Sequence, residues 1–211
     1  MSYQSVGQVF DPITFKAHLE TVNIGWADSV TVHHTAYPDL LMRPKGWTIQ
    51  HMRNLAHYYG SQLGWSAGPH LFTDEDQVFG LSPLTSPGTH ARSFNRKSIG
   101  IEMLGNYDNE DPFSGRGAQV LETTAAIVAA LLIKLGKLPD ETTVKFHRDD
   151  PKTSKTCPGK KIQKSYFLGL VERHIQSIKR DNSQSDRIED AEKPELTIEE
   201  RVKRLESEVF T

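Results

Sequence analysis

Between Ala118 and Leu135 the chain is rich in Ala, Leu, Ile and Val, contains no glycine or proline, and is followed directly by Gly136. A helix that is apolar on nearly every side has to be enclosed by other elements, and a glycine just past the last turn is the usual stop. This stretch therefore predicts a largely buried helix, and the rest of the chain must supply the surfaces that cover it.

The covering segments alternate between strand and helix patterns. Val30–His34 is β-branched through Val-Thr-Val and reads as a short buried strand whose C-terminal end presents His33 and His34. Over Thr48–Leu63 the residues Met52, Leu55, Ala56, Tyr59 and Leu63 recur at helical spacing, with Thr48 as N-cap and Gly64 beyond the end. Short apolar runs follow at His70–Thr73, Gln77–Leu81 and Ser98–Leu104, the last interrupted by Gly100 and Glu102. Thr143–Phe146 is a strand that delivers His147. Ile162–Lys179, with Ile162, Tyr166, Leu170, His174 and Ile178 four apart, is a helix that closes the domain near Arg180. The pattern is that of an α/β chain with one domain over residues 1–180.

From Asp181 the composition turns polar, which reads as a linker over residues 181–195. Leu196, Val202, Leu205 and Val209 then include heptad-like spacing, so residues 196–211 form an amphipathic tail helix. At under two heptads it reads equally as a frayed helix or as a weak homo-oligomerisation seam.

Lys plus Arg total 25 against 27 for Asp plus Glu, and the resulting net charge of −2 lacks the basic excess of a nucleic-acid-binding domain. No segment approaches the roughly 18 uninterrupted apolar residues of a membrane span, and the N-terminus lacks the basic-then-apolar pattern of a secretion signal. The expectation is a cytoplasmic product with neither a nucleic-acid nor a membrane partner.

The single cysteine excludes an intramolecular disulfide and leaves Cys157 as a buried hydrophobe, a nucleophile or a metal ligand. A catalytic zinc site needs three ligands on rigid elements and one open position. The His33-His34 pair, His147 at the end of its strand, and Cys157 nine intervening residues later supply three such segments. A Cys-His nucleophilic pair, with Lys155 lowering the thiol pKa, is the competing chemistry. Glu102 is the odd residue in a strand otherwise made for burial: it is either an outward-facing edge residue or a carboxylate beside a partner or a metal.

Residues 30–36, 88–106 and 145–159 together resemble the second type of N-acetylmuramoyl-L-alanine amidase. That family includes phage amidase-type lysozymes, cytosolic anhydro-muropeptide amidases and peptidoglycan recognition proteins. The resemblance implies a central mixed β-sheet flanked by helices, forming one zinc amidase domain with a C-terminal helical tail. It places one Zn2+ on His33, first of the His-His-Thr-Ala run, on His147, and on Cys157 before Pro-Gly, with His34 turned to the opposite face. The Asn-x-x-Ser-Ile-Gly-Ile-Glu pattern at 95–102 implies Glu102 as general base, since Pro69 stands where other members carry a tyrosine. Lys155 corresponds to the lysine that stabilises the charge developing on the scissile carbonyl. The Gly88–Asn95 loop corresponds to the edge of the substrate groove, which makes His90 and Asn95 substrate contacts, while His70 is either structural or a support to the ligands. The implied reaction is hydrolysis of the amide between N-acetylmuramic acid and L-alanine in peptidoglycan, in a phage or prophage endolysin that reaches the wall after release. The implied alternatives are a non-catalytic recognition module and a cytosolic amidase that recycles muropeptides.

Overall fold

The computed structural model describes residues 3–192, with side chains described as far as Gln184. Along the chain come β1 (Gln8–Phe10), α1 (Pro12–Glu20), β2 (Ser29–His34), α2 (Ile49–Ser61), β3 (Leu71–Thr73) and β4 (Val78–Gly80). They are followed by β5 (Ser98–Met103), α3 (Gly115–Leu135), β6 (Val144–Phe146), a single 3-10 turn (His147–Asp149) and α4 (Lys164–Glu192). The described residues as far as Ile175 form one compact unit, and a second begins at Gln176 within α4.

One six-stranded sheet runs in the order β1-β4-β3-β5-β2-β6. Strands β3, β5, β2 and β6 are parallel, and β4 and β1 are antiparallel additions at one edge. The expected α/β class with a central mixed sheet and flanking helices is therefore the observed one. Helix α3 is the buried helix foreseen between Ala118 and Leu135, begun three residues earlier at Gly115 and ended at left-handed Gly136, φ 65°. It lies against β2, β3, β5 and α1, and the hydroxyl groups of Thr73 and Thr124 hydrogen-bond across that buried contact at 2.7 Å. Among the described residues it alone is long and apolar enough to cross a membrane, and here it is the core helix.

β1 and α1 were not foreseen. The signal was present, because Asp11 caps the helix with one carboxylate oxygen on the amides of Ile13 and Thr14, both at 2.8 Å, and Pro12 occupies the first turn. At the other end, α4 continues through residues 181–192, where the polar composition suggested a linker. Polarity alone does not end a helix, and no glycine or proline stands between Leu170 and Lys193. The tail seam over residues 196–211 lies outside the described residues.

The start of α3 gives a stability test. Alanine is ordinarily better than glycine inside a helix by about 1 kcal/mol. At Gly117, however, a Cβ would stand 2.0 Å from the carbonyl oxygen of Asp111, whose carboxylate is tied to Phe113 N and Ser114 Oγ. The clash outweighs the propensity. Gly117→Ala is expected to destabilise by about 1–3 kcal/mol, seen by calorimetry as a midpoint lower by roughly 3–10 °C. A raised midpoint would show that the Asp111 turn yields.

Candidate metal centre

Parallel strands deliver the site at their C-terminal ends, where α/β sheets characteristically hold ligands. In the β2–β5 register His33 stands opposite Glu102, and in the β2–β6 register Val32 stands opposite Phe146, so that His147 follows directly. Nδ1 of His33 lies 3.0 Å from Nδ1 of His147 and 3.7 Å from Sγ of Cys157. All three ligand atoms fall within 4.8 Å of one another. For bonds of roughly 2.0–2.3 Å, the ligand atoms of a tetrahedral zinc site lie roughly 3.3–3.8 Å apart, and this cluster comes within about 1 Å of that spacing. Burial, with the neighbouring imidazoles and Lys155, holds the pKa values of His33 and His147 below the ordinary histidine value. Two neutral rings facing each other through Nδ1 form an arrangement that a shared cation satisfies.

The loop carrying Cys157 is fastened on both sides. Arg148 N–H donates to the carbonyl of Cys157 at 2.8 Å, and its guanidinium donates to the carbonyls of Gly159 and Ile162 at 2.8 and 2.7 Å. Asp108 accepts from Thr156 Oγ1 at 2.6 Å and from Lys160 N at 2.8 Å. Burial pushes the Cys157 thiol above its usual range, the opposite of what a free nucleophilic thiol needs. A metal ligand has no such difficulty, because a bound cation deprotonates the thiol outright, and the N–H of His34 already points at Sγ from 3.4 Å.

Glu102 Oε1 lies 3.9 Å from His33 Nδ1, and its side chain is only 16% exposed. Burial pushes its carboxyl up to about 8, with the Lys155 ammonium pulling the other way. Lys155 itself is exposed and lines the same cleft. His34 turns aside, accepting from Tyr107 N at 3.1 Å.

Two residues expected to contact substrate are otherwise engaged. His90 lines the cleft, but its Nδ1 meets Nε2 of His33 at 3.1 Å and its Nε2 donates to the carbonyl of Ser98 at 2.9 Å. Asn95 is not part of the cleft lining: its amide oxygen accepts from the N–H groups of His90 and Ala91 at 2.9 and 2.8 Å, which holds the loop in shape. His70 is a brace, accepting from Gly100 N at 2.9 Å and donating to the carbonyl of Ser86 at 3.1 Å.

The cleft measures about 710 Å³ and extends from the His33 cluster across α2, with Trp47, Tyr58, Tyr59 and Trp65 in its walls. Sequence reasoning counted Tyr59 only toward the apolar face of α2. In the structure its phenol is half-buried and shifted above its ordinary pKa by burial and by the carboxylate of Glu102. The aromatic cluster Tyr58-Tyr59 with Trp65 was the available clue, since a face meant only for packing has no need of phenols.

The family profile described as N-acetylmuramoyl-L-alanine amidase matches residues 25–160, well over half of the chain. The chain belongs to the N-acetylmuramoyl-L-alanine amidase family. The matched span contains His33, Glu102, His147, Lys155 and Cys157. Peptidoglycan-recognition protein SC2 of Drosophila simulans is 29% identical over 133 residues, 62% of this chain and 67% of that protein. An endolysin N-acetylmuramoyl-L-alanine amidase from Clostridium intestinale shares the fold with a TM-score of 0.53 at 22% identity, covering 71% of this chain and 86% of that one. A variant of Drosophila PGRP-LB in complex with tracheal cytotoxin does so with a TM-score of 0.53 at 19% identity, covering 76% and 85%.

Within this amidase-family cleft Pro69 contributes wall but no titratable group. Asp108, the other carboxylate of the lining, has both oxygens committed to the Cys157 loop. Glu102, by contrast, meets His33 Nδ1 only at 3.9 Å.

Proposed function

We propose that this chain is a zinc-dependent peptidoglycan amidase that hydrolyses the amide between the lactyl group of N-acetylmuramic acid and L-alanine of the stem peptide. The observation that carries the reading is the cluster of His33 Nδ1, His147 Nδ1 and Cys157 Sγ within 4.8 Å in a cleft, with Glu102 3.9 Å from His33. Two neutral imidazoles and a thiol suit zinc, which takes nitrogen and sulfur donors together. Bound there, zinc supplies Lewis acidity, which polarises an amide carbonyl and acidifies water.

The protein's own groups do the rest. Glu102 accepts the proton of the attacking water and passes it to the departing amine. The ammonium of Lys155 stands at the cleft to meet the negative charge that develops on the carbonyl oxygen. The walls of Trp47, Tyr58, Tyr59 and Trp65 offer flat apolar faces against which sugar and peptide pack.

The likeness to peptidoglycan-recognition proteins and to an endolysin amidase supports a peptidoglycan or muropeptide substrate, and the endolysin likeness supports action on the wall after release from the cytoplasm. Catalysis is favoured over recognition alone because Cys157, Glu102 and Lys155 are all present around one cleft. Digestion of purified peptidoglycan, followed by mass analysis, is expected to give free N-terminal L-alanine on stem peptides and intact glycan. New sugar reducing ends would mean a glycosidase, and retention on the wall without any product would mean a recognition module.

A further inference from the structure

Hydrogen bonding around His33 determines where its protons sit. A carbonyl oxygen only accepts, so the 2.9 Å contact between Ser98 O and His90 Nε2 requires that His90 carry its proton on Nε2. A neutral imidazole carries a single ring proton, so with Nε2–H given to Ser98 the Nδ1 of His90 is a lone pair. That lone pair lies 3.1 Å from His33 Nε2, which must then be the donor. By the same count His33, donating from Nε2, has its lone pair on Nδ1, the atom that faces His147 and Cys157 at 3.0 and 3.7 Å. The main-chain carbonyl of β5 thus dictates, through one imidazole, which nitrogen of the next can bind a metal.

The fold makes room for this arrangement. A Cβ on Gly100 would stand 2.5 Å from Cγ of His90, so the glycine between Ile99 and Ile101 is where the His90 ring lies against the backbone. Asn95 ties down the amides of His90 and Ala91, and the His70 ring stands edge-on to His90 at 5.8 Å.

We infer that His90 is a positioning residue for the metal centre: through the Ser98–His90–His33 relay it fixes His33 as the Nε2–H tautomer and aims its Nδ1 lone pair at the cluster. Gly100 is the space the relay occupies. The inference rests on the zinc reading of the His33 cluster, but the tautomer it assigns belongs to the metal-free protein as well. Partners that orient a metal-bound histidine in this way typically contribute about 10–100-fold to metal affinity.

Two substitutions separate positioning from packing. His90→Phe keeps the ring volume and removes the acceptor, whereas His90→Gln loses the ring but keeps an acceptor and a donor on one amide. Competition with a chromogenic chelator is expected to show zinc bound roughly 10–100-fold more weakly by the Phe variant, with most of the loss recovered in the Gln variant. A packing role gives the reverse order. Wild-type zinc affinity in His90→Phe, or equal loss in both variants, overturns the inference. The melting midpoint of the metal-free variants checks that they fold. Nitrogen-15 spectra of metal-free wild type are expected to show His33 protonated on Nε2, and a proton on Nδ1 overturns the inference even if neither variant folds. Absence of zinc uptake by the wild type would sink the metal reading alone and leave the tautomer result to decide this one.

Discussion

Cys157→Ser is expected to lower zinc content from about one per chain to near zero after dialysis against a mild chelator, and wall hydrolysis with it. Structural zinc sites contribute roughly 10–16 kcal/mol through their full ligand sets, so losing one of three protein ligands costs about 3–4 kcal/mol, or roughly 100–1,000-fold in affinity. His33→Ala should behave in the same way, since Nδ1 of His33 is the atom nearest both other ligand atoms. Stability reports the loss independently of activity. At zinc concentrations about 1,000 times the dissociation constant, the metal stabilises the folded wild type by about 4 kcal/mol, so a strong chelator should lower its midpoint by roughly 8–16 °C and leave Cys157→Ser almost unmoved. The wild type should also bind zinc more tightly as pH rises, because the buried thiol surrenders its proton on binding. Cys157→Asp separates ligand from nucleophile: an aspartate still binds metal and keeps part of the activity, while a thiol-nucleophile mechanism leaves nothing. Full zinc retention in both Cys157→Ser and His33→Ala would remove the site from consideration.

The elements that position these three residues were legible because each is a strong local signal. The β-branched run ending at His33, the apolar stretch closed by Gly136 and the strand before His147 are long or sharply bounded, and all three stand where the sequence placed them. Glu102 was legible as a contradiction, a carboxylate among buried neighbours, and the β2–β5 register resolves it by setting it opposite His33. What could not be read depends on pairings between distant segments. The family resemblance implies His90 as a substrate contact, and a loop histidine carries in its sequence no mark of which way its ring turns. Only the approach of His90 to Ser98 on one side and to His33 on the other shows that both its nitrogens are engaged. Gly100 was visible as an interruption, yet its reason, the ring lying on its Cα, is a tertiary fact. Helix α4 outran its expected end because sequence composition marks solvent exposure, and a helix can be fully exposed.

Glu102→Gln is expected to keep zinc at about one per chain and lose at least roughly a hundredfold in turnover, with kcat and kcat/KM falling together, since a base acts in the transition state and not in binding. The same change should stabilise the metal-free protein, and its pH dependence identifies the group. Glu102 is pushed up to about 8 from an ordinary 4.5, so between those values the folded state holds a proton that the unfolded state has released. Stability of the metal-free wild type therefore falls as pH rises through that window, and glutamine, which never ionises, escapes the fall. Denaturant titrations should show the two proteins alike near pH 4 and the variant ahead by a few kcal/mol at pH 8.5. With zinc bound, the cation favours the carboxylate and the gap should narrow. A base must be ionised to accept a proton, so a carboxylate held protonated without metal and released by it would be switched on only in the loaded enzyme. Equal pH slopes in the two metal-free proteins would show that Glu102 is not the buried acid described here. Near-normal turnover in Glu102→Gln would pass the base role to another cleft group, of which the Tyr59 phenol is the first to test.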